Sequence, residues 1–292
     1  MELIIDKETL KVFYGSDFHA DFWRNGVIPF TDRVNIDKFD VFIFAGDVSE
    51  WDSWSGNCLN IFDPILRAGK AIIMVPGNHE FYGGSYQGVM ADLAEYAQLH
   101  PKFYFLERNF VDLPVQQLRI WGDTFWTDFR GDESAMKIAK RCMNDYRKIF
   151  FQRNKGGVHL EPEDTVVLND KAKTALLECS SWVPEGWKFL VVTHHAPFPE
   201  STPKAYRSPA YTDKAKLNKA YSNDLYDWCA YNGVHPDFWI HGHIHDRANY
   251  DVDWGTHLCT VISNPFGYPG EKDHDQISKH WLEVSSNKIL MV

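Results

Sequence analysis

The chain has 292 residues, 44% of them hydrophobic, with 30 Lys+Arg against 40 Asp+Glu and a net charge of −10. The hydrophobic content supplies a sizeable core, and the acidic balance argues against a dedicated binder of long nucleic acid. The five cysteines, Cys58, Cys142, Cys179, Cys229 and Cys259, are scattered and lack any Cys-x-x-Cys pair, which argues against a disulfide framework or a structural zinc site.

At the N-terminus no apolar stretch reaches the length of a signal peptide or membrane span, so a cytoplasmic protein that avoids membranes is expected. Glu2–Ile5 and Leu10–Tyr14 are apolar runs separated by Asp6-Lys7-Glu8, a pattern that predicts a hairpin leading into a central strand. Gly15-Ser16-Asp17-Phe18-His19 follows, with a carboxylate and an imidazole two residues apart. Extended backbone would point both the same way. Alone, such a pair reads as a surface loop. A second strand, Val41–Phe44, ends in Gly46-Asp47. In Glu50-Trp51-Asp52-Ser53-Trp54 the acids could orient a catalytic histidine, and the tryptophans could wall a pocket or simply pack. Asn57–Gly69 has the spacing of a helix, with Gly69 at its C′ position.

Ala71–Val75 is a compact apolar run broken by Pro76-Gly77, which predicts a buried strand ending in a sharp turn. Asn78 and His79 then stand at the carboxyl edge, where open α/β sheets place their ligands. Ser85–Leu99 is predicted helical, with Met90, Leu93, Ala94 and Ala97 as its core stripe. Phe103–Leu106 and Leu118–Trp121 read as strands. Ser134–Gln152 has helical spacing and an unusually basic face: Lys137, Lys140, Arg141, Arg147 and Lys148, with Arg153 beyond. That face reads as solvated, or as a cap that attracts an anion. Asp164–Ser181 is a further helix. The strand Phe189–Val192 leads to His194-His195, and Pro199–Asp213, with Lys204 and Arg207, is a loop placed to act as a lid. Leu217–Tyr231 is predicted helical. Phe238–Ile240 ends in His241-Gly242-His243-Ile244-His245, and Leu258–Ile262 and His280–Val284 extend a sheet. No repeat or long linker intervenes. One domain over 1–292 is expected, with cap insertions near 130–180 and 199–232.

Five strand ends thus carry Asp, His and Asn. Carboxylate, imidazole and amide oxygen together suit a divalent transition metal. One cation rarely needs all of Asp17, His19, Asp47, Asn78, His194, His243 and His245. Two would, with Asp47 shared, and two-metal hydrolytic centres hold their ions ~3.5–4 Å apart. The charge left over favours an anionic phosphate ester.

Asp17-x-His19, Gly46-Asp47, Gly77-Asn78-His79-Glu80, His194 and Gly242-His243-Ile244-His245, in this order, resemble the calcineurin-like metallophosphoesterase superfamily. Asp17-Phe18-His19, Phe125-Trp126-Thr127-Asp128, Met143-Asn144-Asp145-Tyr146-Arg147, Thr193-His194-His195-Ala196-Pro197 and Asn264-Pro265 are similar to its bacterial and phage branch. The resemblance implies a four-layer α/β/β/α sandwich of two mixed sheets flanked by helices. It implies that Asp17, His19, Asp47 and His245 hold one divalent ion and Asp47, Asn78, His194 and His243 the other, with manganese, iron or zinc all compatible. His194 is preferred over His195 because the superfamily's ligand comes first after the strand. His79 would stabilise a phosphoryl oxygen or protonate the leaving alkoxide, while a hydroxide bridging the metals attacks phosphorus. Glu50, three residues after Asp47, occupies the place where related protein phosphatases carry an Asp that orients the histidine. The Arg of the protein-phosphatase pattern is absent from Gly46–Asp52, so the expected substrate is a small phosphate ester such as a nucleotide. A polynucleotide phosphodiesterase would need an open basic groove. A non-catalytic scaffold would follow from lost ligands, and none of the set is missing.

Overall fold

A computed structural model describes residues 1–23, 30–50, 58–153, 156–207, 212–271, 274–286 and 288–292. The strands are β1 (Thr9–Gly15), β2 (Val41–Ala45), β3 (Ala71–Val75), β4 (Phe103–Phe105), β5 (Asn109–Leu113), β6 (Leu118–Asp123), β7 (Phe150–Arg153), β8 (Gly156–His159), β9 (Lys188–Thr193), β10 (Phe238–His241), β11 (Ala248–Asp253), β12 (Leu258–Ser263), β13 (Trp281–Ser285) and β14 (Lys288–Met291). One sheet has the order β14-β13-β1-β2-β3-β4 and the other β11-β12-β10-β9-β6-β5. In each, four neighbouring strands run parallel: β1 to β4 in the first, and β12, β10, β9 and β6 in the second. Antiparallel strands complete each sheet, β13 and β14 in the first and β11 and β5 in the second, so both sheets are mixed.

The alternation of side chains along the central strands creates the layers. On β2, Val41, Ile43 and Ala45 pack between the sheets with Ile73, Val75, Leu190, Val192, Ile240 and Ile262. Phe42 and Phe44 point the other way, into a cluster with Phe62, Val89 and Leu93 from the helices Leu59–Arg67 and Tyr86–Leu99. On the second sheet, Trp121, Val191 and Trp239 face outward onto Ala172 and Leu176 of the helix Pro162–Ser181. Three apolar layers therefore separate helices, sheet, sheet and helices, which is the expected four-layer sandwich. Burial on both faces explains why these strands are unbroken apolar runs. Truncating a fully buried residue such as Ile43 would cost roughly 2–5 kcal/mol.

Three local expectations fail. Glu2–Ile5 does not pair with β1. Leu3 N–H donates to Asp112 O and Asp112 N–H to Met1 O, tying the N-terminus to β5 and burying Leu3 between the sheets. Ser134–Gln152 is not one helix: it divides into Glu133–Cys142, a single turn Asp145–Lys148, and β7. Met143 adopts an extended ψ of 143°, and the break delivers Asp145 to the buried Asn78 amide. Leu217–Tyr231 is helical only at its ends, with a 3₁₀ turn at Asn218–Ala220 and a helix Tyr226–Asn232. Trp51–Trp54 and the tip of the anticipated lid, 208–211, lie outside the described residues. No helix among the described residues is long and apolar enough to cross a membrane.

Candidate metal centre

The site forms where β1, β2, β3, β9 and β10 end. Turns of unusual backbone shape aim its donors. Asp17, His19, Asp47, His243 and His245 have φ of 54°, 45°, 56°, 68° and 54°. This left-handed region costs a residue with a Cβ about 1–2 kcal/mol, and such conformations concentrate at functional sites. Close approach demands glycine beside them. A Cβ on Gly77 would lie 2.1 Å from Asp47 Oδ1 and 2.7 Å from His194 Cε1. Gly46, at φ +84°, would crowd His194 Nδ1 in the same way. The buried Glu80 carboxylate ties these turns together, accepting from the N–H groups of Asp47, Val48, Ser49 and Gly77.

Two groups of donors result. In the outer cluster, Asp17 Oδ1 lies 3.3 Å from His245 Nε2, and His19 Nε2 lies 2.9 Å from that same nitrogen. In the inner cluster, His194 Nε2 lies 2.9 Å from Asn78 Oδ1, 3.2 Å from His243 Nδ1 and 3.3 Å from Asp47 Oδ1. Asp47 reaches both, since its Oδ2 stands 3.8 Å from His19 Nε2. All seven anticipated ligands are therefore gathered at one place. Potential ligand atoms of Asp17, His19 and His245, and of Asp47, His194 and His243, lie within 4.8 Å of one another; His19, Asp47 and His79 make a third such group.

The far sides of these rings are held by the protein, which fixes which nitrogen faces inward. His194 Nδ1 contacts Ala45 O at 2.9 Å, and His245 Nδ1 contacts Glu271 Oε2 at 3.0 Å. Asn78 Nδ2 donates to Asp145 Oδ1 at 2.9 Å, which turns its carbonyl oxygen toward His194. His195 instead turns Nδ1 to Thr124 O, and His241 meets Ser201 Oγ, so neither ring joins the donor set.

Electrostatics sorts the four imidazoles into unlike pairs. Burial would raise the carboxyls of Asp47 and Asp17. The neighbouring histidines, His194 foremost for Asp47 and His245 for Asp17, overcome this and hold both below the usual carboxylate range. Against the same burial, Asp47 pushes His194 up to about 9 and Asp17 pushes His245 up to about 9. Burial and adjacent histidines drive His19 and His243 well below the usual imidazole range. Each cluster thus holds one proton where two ring nitrogens converge. Without it, two lone pairs would face each other at 2.9 or 3.2 Å. A divalent cation can replace that proton and satisfy both nitrogens together with the carboxylate. The residues present therefore fit a metal.

A cavity of about 670 Å³ opens over the donors, walled by Tyr82, Asn144, Tyr206, Asn218, Tyr221 and Tyr268 among others. His79 and Tyr268 stand in its wall. The basic side chains of Ser134–Gln152 do not, although Cys142–Asp145 of that stretch do. Lys137 and Lys140 pair with Glu133 and Glu161, and Lys148 pairs with Glu50. Arg207 folds back onto the carbonyls of Thr202 and Glu200. The anticipated anion-attracting cap is thus largely spent on internal pairs, although Thr202, Pro203 and Tyr206 of the anticipated lid do border the cavity.

Comparison with known proteins agrees with this architecture: the model of the calcineurin-like phosphoesterase family matches residues 10–247. The chain belongs to this family. It is a metal-dependent phosphoester hydrolase. Among solved structures, a phosphopantetheinyl hydrolase (PptH) from Mycobacterium tuberculosis superposes with a TM-score of 0.61 at 15% identity, covering 91% of each chain. A Thermus thermophilus protein, TT1561, gives 0.53 at 11% identity over 97% of this chain and 98% of that one. At such identities the likeness is one of fold. No curated protein sequence matches the chain.

Within this phosphoesterase, Glu50 borders a pocket that His79 and Tyr268 also line. Its carboxylate takes Lys148 at 2.7 Å, while the His79 ring meets the Tyr268 hydroxyl. Sequence reasoning gave no role to Glu80, Asp145, Tyr268 or Glu271. Glu80 and Asp145 sat inside motifs already noted, but Tyr268 and Glu271 lie beyond the matched 10–247 range, where no motif marks them.

Proposed function

We propose that the protein is a two-metal phosphoesterase for a small phosphate ester, organised as one domain over 1–292 with cap insertions near 130–180 and 199–232. One ion would sit among Asp17, His19, Asp47 and His245, the other among Asp47, Asn78, His194 and His243. The observation that carries this reading is Asp47, whose two oxygens face different clusters, at 3.8 Å from His19 and 3.3 Å from His194. Manganese, iron or zinc, when bound, would supply charge at the phosphoryl oxygens and make water a nucleophile near neutral pH.

The chain's own side chains do the rest. Asp145 keeps the Asn78 carbonyl turned inward, and Glu271 and Ala45 hold His245 and His194 in one tautomer each. His79, in the cavity wall, gives a proton to the leaving oxygen. No Lys or Arg is among the described residues that wall the cavity, and Lys148, in the adjoining pocket beside His79, is paired with Glu50, so attraction of the anion falls mainly to the ions. That favours a compact ester over a polyanionic track, whose binding depends on many basic contacts. The test is a metal-reconstituted screen of phosphomonoesters, linear diesters and cyclic nucleotides, run beside single-stranded DNA. Metal-dependent hydrolysis of a small ester supports the reading. Exclusive cleavage of the polynucleotide, or no hydrolysis with any metal, overturns it.

A further inference from the structure

The geometry points to Tyr268 as the residue that relays a proton from His79, the proton donor of the reading above, on which this inference rests. Tyr268 lies in the turn that follows β12. Backbone bonds from Phe266 and Gly267 N–H to the carbonyls of Ser16 and Asp17 dock that turn against the outer cluster. Its ring stacks on His19 with centroids 4.1 Å apart and planes 20° apart, and it lies 4.8 Å from the His245 ring. The Tyr268 N–H donates to Glu271 Oε2, the same oxygen that meets His245 Nδ1. The side chain is thus fixed from several directions before its hydroxyl is considered.

That hydroxyl lies 3.3 Å from His79 Nε2. The other ring nitrogen, Nδ1, is buried with no hydrogen-bond partner among the described residues. Tilted contact with Tyr82, at 4.3 Å, and edge contact with His19, at 4.4 Å, restrict the plane of the ring but leave its in-plane sense open. Tyr268 supplies the polar contact at Nε2 and itself stands in the cavity wall. In ester cleavage, water oxygen bonds to phosphorus and the bond to the leaving oxygen breaks with its electron pair. That oxygen takes the Tyr268 hydroxyl proton while the Tyr268 oxygen takes the proton carried on His79 Nε2. Loss of the Tyr268 hydroxyl leaves the imidazole in place but breaks the path of its proton to the leaving oxygen.

Tyr268→Phe keeps the ring stack and removes only the hydroxyl, so it is the variant of choice. Across aryl phosphates from p-nitrophenyl to p-methoxyphenyl, its kcat should fall progressively as the leaving group becomes more basic. The loss should be under about threefold at p-nitrophenyl and roughly tenfold or more at the basic end, because general-acid help matters most for poor leaving groups. In a His79→Asn background the same change should add nothing. Equal loss across the series, or full additivity with His79→Asn, would overturn the inference. If the wild-type protein hydrolyses no ester with any metal, the functional reading fails instead. The inference is then still decided by ¹⁵N spectra of histidine-labelled, metal-free protein. Tyr268→Phe should shift the Nε2 resonance that His79→Asn removes, and an unmoved resonance would refute it.

Discussion

The inner and outer donor clusters use the same kinds of side chain but are backed by different parts of the fold. His194 leans on the carbonyl of Ala45 at the end of β2, and Asn78 on the buried Asp145, so the inner cluster is braced by strands and core. His245 leans on Glu271, whose side chain is 42% exposed, and its own side chain is 17% exposed against 0% for His194. The outer cluster is therefore braced by a surface turn. A shared ligand set does not make two equivalent sites. The stiffness of each follows from what stands behind the ligands, and an ion in the outer one should exchange faster.

The largest effect should come from removing what the clusters share. Asp47→Asn should lower turnover by about 1000-fold or more, the scale of losing several kcal/mol of metal-derived stabilisation. Circular dichroism should show an unchanged fold. Preserved turnover would mean that Asp47 does not link two ions. Next, the braces can be cut separately. Asp145→Ala should weaken one metal-binding event by about 10- to 100-fold and leave the other alone. Glu271→Gln should weaken the opposite event, with the smaller change because its site is wetter. Calorimetry that shows both variants weakening the same event would erase the distinction between the clusters.

A subtler effect concerns protons. His194 and His245, each at about 9, carry protons near neutral pH in the metal-free protein. Divalent ions must displace both, so binding should release about two protons per chain. The release should fade as pH rises through about 9, where the imidazoles are already neutral. Calorimetry in buffers of different ionisation enthalpy reads this number, and zero release at neutral pH would contradict the paired protonation described above. The smallest effect belongs to the basic stretch. Lys140→Ala breaks a half-exposed pair with Glu161 and should cost no more than about 1 kcal/mol, with kcat/KM unchanged.

What could be read before the fold was known follows a physical division. The gathered donor side chains were legible because each sits at the end of an apolar run, and a run buried on both faces is hard to mistake. The residues behind them were not, since Asp145, Glu271 and Tyr268 act through a neighbour brought close only by folding. Asp145 was further hidden by helical spacing across Met143, where an acceptor for the Asn78 amide outweighs continued helix. Glu50 shows a related limit: its position after Asp47 gave no sign that Lys148, 98 residues away, would take its carboxylate. The Leu3 segment likewise found its partner in β5, across the sandwich, where local pattern points to β1.

The central claim is that two ions share Asp47. Anomalous diffraction from crystals loaded with manganese tests it most directly. Two peaks about 3.5–4 Å apart, one on each side of the Asp47 carboxylate, are expected. A single peak, or a pair with Asp47 touching only one of them, would contradict the account.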